Sequence, residues 1–249
     1  MIFALISDIH ANLHALEVVL DKLDSDKISQ IYSLGDLIGY GAYPNECIEI
    51  IKYRNIPTIL GNHDSVGAKI EDIRFFNRFA KESIIWTQMT LLKENRKFLE
   101  SLTYYNSSLE SLLVHSSPYN PSRWHYILTI QEAMIQFQYF REKICFFGHS
   151  HLPVIIDSNG EIYYPKNYPF IFKMEDNKRY LVNVGSVGQP RDKDPRACYL
   201  KFDTTQNCIE YHRAEYDIES AQKAIRKISR ADLSEETASY LSNRLIRGE

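Results

Sequence analysis

Seven side chains of types that bind metal ions recur along this chain of 249 residues, each just after an apolar run or close behind one. In chain order they are Asp8 and His10 in SDIH, Asp36 in LGD, Asn62 in GNHD, His115 in VHSSP, and His149 and His151 in GHSH. Six of the seven are Asp or His, the residue types that serve metal binding and acid–base catalysis. Because each cluster follows a stretch that is typical of a buried strand, we expect all five clusters at one edge of one sheet system.

The mixture of ligand types favours a borderline divalent metal. Carboxylates, an amide oxygen and imidazoles together suit Mn, Fe, Zn, Ni or Co. Seven ligands are too many for one tetrahedral ion and about enough for two. Two ions held about 3.5–4 Å apart clamp the attacking and leaving oxygens of an in-line phosphoryl displacement. A carboxylate shared by both ions is the natural bridge, and Asp36, which lies between the other clusters, is the best candidate.

The apolar runs before the clusters predict the strands that position them. These runs cover residues 1–7, 30–34, 57–60, 112–114 and 144–147. Most are continuous rather than alternating, as expected for strands that are buried on both faces. Helical spacing from Leu13 to Leu23, after Asn12 as N-cap, and again behind Pro44 predicts βαβ units and a mostly parallel sheet. Ligands of such sheets lie outside the carboxyl ends of the strands.

The second half of the chain has a different pattern. From Pro153 onward, shorter and partly alternating runs predict antiparallel strands, and 218–247 predicts one or two amphipathic helices with an N-cap at Ser234. No repeat or clear linker is visible, so 1–249 is interpreted as a single domain. Two helical insertions rich in aromatic residues, near 65–106 and 119–140, fall between metal clusters and are expected above or beside the site.

The charge balance argues against a nucleic-acid polymer as partner. The chain has 29 basic and 32 acidic residues, whereas polymer binding normally requires a basic excess. A small phosphorylated substrate is compatible with this balance, since bound metal supplies positive charge. The four cysteines form no CxxC pair, and no apolar run is long enough for a bilayer or a signal segment. We therefore expect a cytoplasmic protein without a membrane partner, and the oligomeric state stays open.

The motifs DIH, GD, GNHD, H and GHSH, in this order, resemble those of the calcineurin-like metallophosphoesterases. The match runs from Asp8 to His151, and NVGSVGQPRD at 183–192 extends it. Within the family the chain is most similar to small bacterial and archaeal phosphodiesterases or diadenosine-tetraphosphatase-like proteins. The resemblance implies an α/β fold, a four-layer α/β/β/α sandwich with mixed sheets. That architecture fits the antiparallel strands predicted after Pro153.

The resemblance also implies roles for individual residues. The ligands implied for one metal ion are Asp8, His10, Asp36 and His151. Those implied for the second are Asp36 as the bridge, Asn62, His115 and His149. His63 is implied as the general acid that faces the leaving-group oxygen, or as a group that stabilises charge there. The implied nucleophile is a hydroxide activated by the two divalent ions, and manganese is favoured among the candidate metals.

The sequence departs from many relatives after the second predicted strand, where they have GDxxDRG and this chain has GDLIGYG. Gly39 stands where an acid would orient the catalytic histidine, and Tyr40 stands where an arginine would hold phosphate. The eukaryotic protein-phosphatase version of the site is therefore disfavoured. Tyr40 and Arg191 are the candidate substrate-binding residues, although Arg191 has a competing interpretation as a partner of Asp192 or Asp194.

The predicted function is metal-dependent hydrolysis of phosphate esters in a small substrate. A phosphodiesterase or a dinucleotide-type phosphoanhydride hydrolase is favoured, because a monoester dianion gains most from the cation that Tyr40 replaces. A phosphomonoesterase is the alternative. A protein-interaction scaffold on the same fold is less favoured, since no ligand position is lost. The aromatic residues of the insertions are interpreted more as core than as substrate platform, and Trp86 and Trp124 distinguish the two interpretations.

Overall fold

Two mixed β-sheets, packed face to face, form the centre of the fold. The structure is a computed structural model that describes residues 1–108, 110–228 and 232–249. Its strands are β1 (Ile2–Ile6), β2 (Ile31–Ser33), β3 (Tyr105–Ser108), β4 (Ser111–Val114), β5 (Ile144–Phe147), β6 (Val154–Asp157), β7 (Ile162–Tyr163), β8 (Phe170–Lys173), β9 (Tyr180–Asn183), β10 (Ala197–Asp203) and β11 (Cys208–Ala214). Its helices are α1 (Leu13–Ser25), α2 (Pro44–Tyr53), α3 (Asn62–Gly67), α4 (Arg78–Thr90), α5 (Lys93–Glu100), α6 (Ile130–Gln136), α7 (Ile218–Lys227) and α8 (Glu235–Arg247), with 3₁₀ turns at Ile73–Phe75 and Pro121–Arg123.

Each sheet combines parallel and antiparallel pairs. The first sheet has the order β2-β1-β10-β11-β8, and within it β1 is parallel to β2 while the other pairs are antiparallel. In the second, of order β3-β4-β5-β9-β6-β7, the strands β4, β5 and β9 are parallel and the others antiparallel. The expectation of one mostly parallel sheet is wrong, because the antiparallel pair β10 and β11 occupies the side of β1 where another parallel strand would lie.

The alternation of side chains along the central strands creates four layers. In β1, Ala4 and Ile6 pack against α1 and α2, whereas Phe3 and Leu5 point into the core between the sheets. In β5 the alternation is repeated, and its outward side chains pack against α6. Because both faces of these strands are buried, their sequences are continuously apolar. The α/β/β/α sandwich implied by the resemblance is confirmed.

Residues 57–60 do not form the predicted strand. They make two isolated bridges, one between Thr58 and Ser33 at the edge of the first sheet and one between Ile59 and Thr103. The segment therefore crosses from one sheet towards the other and pairs for a single residue with each neighbour. Ile59 packs in the core between the sheets and Leu60 is buried as well, which explains why the sequence resembles a strand.

Three helix starts agree with the signals in the sequence. The Asn12 side chain accepts a hydrogen bond from the Ala15 amide at the start of α1, and Pro44 occupies the first turn of α2. The Ser234 hydroxyl accepts from the Thr237 amide at the start of α8. The first backbone amides of a helix have no carbonyl partner within the helix. The Asn12 and Ser234 side chains accept hydrogen bonds from such amides, and Pro44 has no amide hydrogen to satisfy.

The stretch 218–247 contains the two helices α7 and α8, and residues 229–231 between them lie outside the described residues. Leu241 and Leu245 of α8 join Tyr40 in one apolar cluster. Within the described part of the chain, no helix combines the length and apolar character needed to cross a membrane.

The two aromatic-rich segments each contain helix. Residues 65–106 contain α4 and α5, and residues 119–140 contain α6. Phe137 and Phe140 belong to the core on the outer face of the second sheet, in agreement with their interpretation as core residues. Other aromatic residues of these segments lie beside the predicted metal ligands.

Candidate metal centre

The predicted ligands follow the carboxyl ends of four strands, two in each sheet. Asp8 and His10 lie just beyond β1, and Asp36 lies just beyond β2. His115 directly follows β4, and both histidines of GHSH follow β5, while Asn62 is the first residue of α3. Because β1 and β2 are parallel, as are β4 and β5, these strand ends open on a common rim, as in other α/β folds.

One group of side chains surrounds the end of β1. His151 Nε2 lies 3.2 Å from Asp8 Oδ1 and 3.0 Å from His10 Nε2. His10 Nε2 in turn lies 3.6 Å from Asp36 Oδ2. These four side chains are the set implied for one metal ion.

A second group lies on the other side of Asp36. His115 Nε2 is 3.3 Å from Asp36 Oδ2 and 3.2 Å from Asn62 Oδ1. The ligating atoms of Asp36, His115 and His149 all lie within 4.8 Å of one another. His115 Nε2 also approaches Asp8 Oδ1 at 4.0 Å, so the two groups are contiguous. The structure thus brings all seven predicted side chains together around the Asp36 carboxylate.

Both carboxylates are oriented by backbone amides. The His63 amide donates to Asp36 Oδ1 at 2.8 Å, and the His149 amide donates to Asp8 Oδ2 at 3.0 Å. The other oxygen of each carboxylate is left to face the histidines. A Cβ at Gly61 would lie 2.2 Å from Asp36 Oδ1, so the glycine of GNHD is required for this close approach.

Three histidines are fixed in orientation by backbone carbonyls. The pairs, with their Nδ1···O distances, are His10 and Ile38 (3.1 Å), His115 and Leu34 (2.7 Å), and His151 and Gln189 (2.5 Å). A carbonyl oxygen accepts only, so each Nδ1 carries a proton, and in the neutral form of each ring Nε2 presents a lone pair to the centre. Sequence reasoning did not find these carbonyl partners, because every residue has a carbonyl and none carries a signal of its type.

The resulting centre is a set of buried acceptors that face one another. The Nε2 atoms of His10 and His151 lie 3.0 Å apart, and the tautomers assigned above leave no proton between them. Asp8 Oδ1 and His149 Nε2 are buried without a hydrogen-bond partner. Each unsatisfied buried group of this kind costs about 1–3 kcal/mol. Divalent cations between these atoms would remove the cost, so the donor set fits the metal ions that the sequence implies.

The electrostatics of the histidines agree with metal binding. Burial lowers the pKa of His149 to about 3 and lowers the pKa of His10 and of His151 as well. Neutral imidazole is the form that binds metal. For His115, burial lowers the pKa, but the nearby carboxylates of Asp36 and Asp8 outweigh burial and raise it to about 9. A cation bound at His115 Nε2 would replace the proton that these carboxylates otherwise attract.

The backbone at the centre is strained. Positive φ angles occur at Asp8 (52°), His10 (50°), Asp36 (54°), His149 (65°) and His151 (61°). Non-glycine residues rarely adopt this conformation, which costs about 1–3 kcal/mol each and persists where the surroundings enforce it. Here hydrogen bonds between loops enforce this conformation. The Asp8 amide donates to the Gly35 carbonyl at 3.0 Å, and the His10 amide donates to the Asp36 carbonyl at 2.9 Å. Strain concentrated at five of seven candidate ligands indicates a functional site.

The His63 ring is held by aromatic contacts in place of a carboxylate. Its centroid lies 4.5 Å from the Tyr40 and Phe76 rings and 4.8 Å from the His10 ring. Its Nδ1 is buried without a hydrogen-bond partner, and a Cβ at Gly39 would lie 2.3 Å from it. The departure noted in the sequence therefore has a steric meaning, since no side chain fits at position 39 with His63 in this place. Burial lowers the pKa of His63 to about 4, so the ring is neutral at neutral pH.

Asp64 does not orient His63. Its Oδ1 accepts from the Leu37 amide at 2.8 Å and the Ile38 amide at 3.3 Å, and its Oδ2 accepts from the Gly61 amide at 3.2 Å. The side chain thus ties the loop after β2 to the start of α3. Burial, followed by the charge of Asp36, raises the pKa of Asp64 to about 7.

Arg191 lies beside the centre without an acidic partner. Its Nη2 is 3.4 Å from Gln189 Oε1, its Nε is buried without a hydrogen-bond partner, and it forms no ion pair with any described residue. Arg191 does not pair with Asp192 or Asp194, because both of these carboxylates form ion pairs with Arg213. Burial and then the positive charge of Arg191 lower the pKa of His151, which is consistent with a guanidinium close to the metal-binding groups.

A cavity of about 290 Å³ adjoins the centre. Asn62, His63 and His149 line it, together with residues from both aromatic-rich segments, namely Glu71, Asp72, Phe75, Phe76, Arg123, Trp124 and Tyr126. The expectation that these segments lie beside the site agrees with this geometry. Trp124 is part of the lining and its ring lies 5.9 Å from that of His115, whereas Trp86 is not part of it.

Three further histidines have other surroundings. His125 stacks on Tyr119, and His212 stacks on Tyr199 and approaches Glu210 at 3.2 Å. Neither belongs to a potential metal cluster among the described residues, and nor does His14.

Known proteins resemble this chain in sequence and in fold. A family model described as the calcineurin-like phosphoesterase superfamily domain matches residues 1–207. An uncharacterised protein of Methanocaldococcus jannaschii is 37% identical over 249 residues, which cover 98% of this chain and 97% of that protein.

Two solved structures resemble the chain along nearly its whole length. A metallophosphoesterase from Sphaerobacter thermophilus has a TM-score of 0.86 and 36% identity, and the match covers 100% of this chain and 99% of that one. A hypothetical protein from Pyrococcus horikoshii OT3 has a TM-score of 0.77, 21% identity, and coverage of 96% and 97%. At that identity the second likeness concerns the fold alone.

The centre predicts a definite metal content. Protein purified without chelator should contain about two divalent ions per chain by elemental analysis. Asp36→Asn should lower the content of both ions and the activity more than any other single ligand change, because Oδ2 of Asp36 faces both groups. Asp24→Asn, at a surface ion pair with Arg54, is the matched control and should change neither. Protein that lacks metal and stays active in chelator would contradict this description of the site.

Proposed function

This chain belongs to the calcineurin-like phosphoesterase superfamily and is a metal-dependent phosphoester hydrolase, and we propose that it cleaves a small phosphodiester or a dinucleotide-type phosphoanhydride. The observation that supports this proposal best is the cavity of about 290 Å³ beside Asn62, His63 and His149. A cavity in this position has room for the second esterified group of a diester or for the distal part of an anhydride. The single organic group of a monoester would also fit there, so the preference for a diester rests on the position of Tyr40 described below.

The metal ions proposed here would be held by the seven side chains around Asp36. Asp8, His10, Asp36 and His151 would hold one ion, and Asp36, Asn62, His115 and His149 the other. When bound, such ions supply positive charge to phosphate oxygens and a nucleophile from water at neutral pH. Carboxylates, an amide and imidazoles without a thiolate favour manganese in this proposal.

The chain's own residues would orient and stabilise the reacting phosphate. The amides of His63 and His149 hold the two carboxylates in place, so that little reorganisation is needed when substrate binds. The neutral His63 ring, which lines the cavity, would donate a hydrogen bond to the leaving-group oxygen and stabilise charge there. Arg191, with donors that no acidic side chain occupies, would bind a non-bridging phosphate oxygen.

The preference for a diester over a monoester is supported by the position of Tyr40. Its buried ring packs between His10 and His63, with centroid distances of 4.6 and 4.5 Å, where a guanidinium would be needed to grip a dianion. Arg191 then supplies one fixed cation. A diester or a bridging phosphate carries less charge per phosphorus and needs less compensation.

A cytoplasmic location is part of the proposal. All four cysteines are unpaired, three of them buried, which is compatible with a reducing compartment.

The role of His63 is tested by substitution. His63→Ala should leave metal content near normal and lower turnover by on the order of 10²–10⁴. The loss should be smaller for p-nitrophenyl esters than for alkyl esters, because p-nitrophenolate leaves without assistance. His212→Ala, a histidine outside the centre, is the control. An equal loss across leaving groups would remove His63 from the leaving-group side of the reaction.

The role of Arg191 is tested in the same way. Arg191→Ala should raise KM and lower kcat/KM. The corresponding rise in activation free energy should be about 1.5–3 kcal/mol, the range of a charge-assisted hydrogen bond. Arg54→Ala, which breaks a surface ion pair with Asp24, should have no effect on either constant. Unchanged steady-state kinetics in Arg191→Ala would show that this side chain does not bind substrate.

The diester preference is tested by comparing two chromogenic substrates under identical metal loading. Bis(p-nitrophenyl) phosphate should be turned over faster than p-nitrophenyl phosphate. Measured kcat/KM values in the opposite order would reject the preference and favour the phosphomonoesterase.

A further inference from the structure

The cavity beside the centre has an aromatic wall with faces that the protein itself leaves uncovered. Four rings from the two aromatic-rich segments line it, those of Phe75, Phe76, Trp124 and Tyr126, in addition to the rings of Tyr40, His63 and His149. Phe75, at the end of a 3₁₀ turn, is 93% exposed, and Tyr126 is 46% exposed. A phenyl ring with that exposure contributes almost nothing to the core. Its position at the rim of a cavity suits contact with a ligand.

The wall continues directly from the metal-binding side chains. The Tyr126 ring is stacked on the His149 ring, with centroids 4.0 Å apart and planes 26° apart. The Trp124 ring makes an edge contact with His115, at 5.9 Å and 72°. A group that occupies the cavity would therefore be within reach of a phosphate at the centre through a few covalent bonds.

Trp124 is held in place at a conformational cost. Its indole Nε1 donates a 2.6 Å hydrogen bond to Glu71 Oε2, which joins the segment after α3 to the segment before α6. Its backbone has a φ of 55°, a value that bulky residues seldom adopt. A second ring, Tyr104, packs 5.6 Å away. Strain at an immobilised aromatic side chain that lines a cavity indicates that its ring position matters to a ligand.

The charged residues of the lining restrict what the cavity can hold. Glu71 and Asp72 contribute two carboxylates and Arg123 one guanidinium. The balance is unfavourable for a second phosphate or for a sugar phosphate. Glu71 Oε2 already accepts from Trp124, and Asp72 Oδ1 already accepts from the Arg74 amide. The second oxygen of each carboxylate is left as an acceptor, which favours a ring system that carries N–H groups. Flat aromatic faces and N–H acceptors together match a nucleobase more closely than an acyl chain or a sugar.

We propose that this cavity is a nucleobase subsite, in which a base attached to the scissile phosphate stacks against Trp124, Tyr126 and Phe75. The inference rests on the proposed function, since it names the group that lies beside the phosphorus. Stacking of a base on an aromatic side chain makes binding about 5- to 150-fold tighter. The subsite therefore selects nucleotide-containing substrates over other phosphodiesters.

The test compares two ligands that share a phosphate and differ in the base. Metal-loaded protein is titrated calorimetrically with adenosine 5′-monophosphate and with ribose 5-phosphate. The nucleotide should bind at least about tenfold more tightly. Trp124→Leu and Phe75→Ser should each weaken binding of the nucleotide and leave that of ribose 5-phosphate unchanged. Phe75→Ser is the safer variant for folding, because this ring is 93% exposed.

The chain provides a matched control and an optical reporter. It contains two tryptophans, Trp86 and Trp124, and the first is not part of the cavity lining. Trp86→Leu should leave both affinities unchanged. In Trp86→Phe, where Trp124 is the remaining tryptophan, the nucleotide should quench the emission in a saturable way and ribose 5-phosphate should not.

Equal affinity for the two ligands, or an unchanged nucleotide affinity in both Trp124→Leu and Phe75→Ser, would overturn the subsite. Failure of the nucleotide to bind at millimolar concentration would overturn it as well. Hydrolysis of bis(p-nitrophenyl) phosphate, measured in parallel, separates the two proposals. If that activity is present while the base makes no difference, the subsite is wrong and the proposed phosphodiesterase stands.

Discussion

The site depends on one electrostatic constraint, the burial around Asp36 of several hydrogen-bond acceptors among which His115, when protonated, is the donor. Backbone amides take up one oxygen of Asp36 and one of Asp8, and backbone carbonyls hold the Nδ1 protons of three histidines. What remains is a ring of lone pairs directed inward. The loops that create it adopt strained conformations, and two sheets must meet at one rim to bring their strand ends together. Cations of high charge density resolve this arrangement, and hydrolysis of a phosphoester follows from it.

Much of this candidate centre could be predicted from the sequence, because its predicted ligands are residue types with few other reasons to follow apolar strands. Asp8, Asp36 and His115 are examples. The rest depends on features that residue type does not encode. Main-chain carbonyls set the histidine tautomers, and the segment 57–60 has the composition of a strand but lies where pairing partners extend for one residue only. Division of the parallel strands between two sheets follows from the late β10–β11 pair, which local patterns cannot place.

The aromatic residues show the same limit of sequence reasoning. Trp86 and Trp124 both lie in helical segments between metal clusters, yet Trp124 borders the cavity and Trp86 does not. Local periodicity gives no basis for that difference. It arises from the Trp124–Glu71 hydrogen bond between distant segments, a tertiary contact. Gly39 shows the opposite limit. The sequence reveals that a glycine replaces the usual acid, but only the position of the His63 ring explains why no side chain fits there.

The order in which the ribosome makes the chain bears on when metal can be acquired. His151 is the last of the seven predicted ligands along the chain. The backbone of Asp8, however, is held by residues that are synthesised later, because the Gly188 amide and the Ser186 hydroxyl both donate hydrogen bonds to the Asp8 carbonyl oxygen. Strand β1 gains its inner neighbour only when β10 emerges, which pairs Ile2 with Asp203. A nascent chain that already carries every ligand therefore has no preformed centre. The candidate metal site is therefore expected to assemble only after this long-range contact has closed.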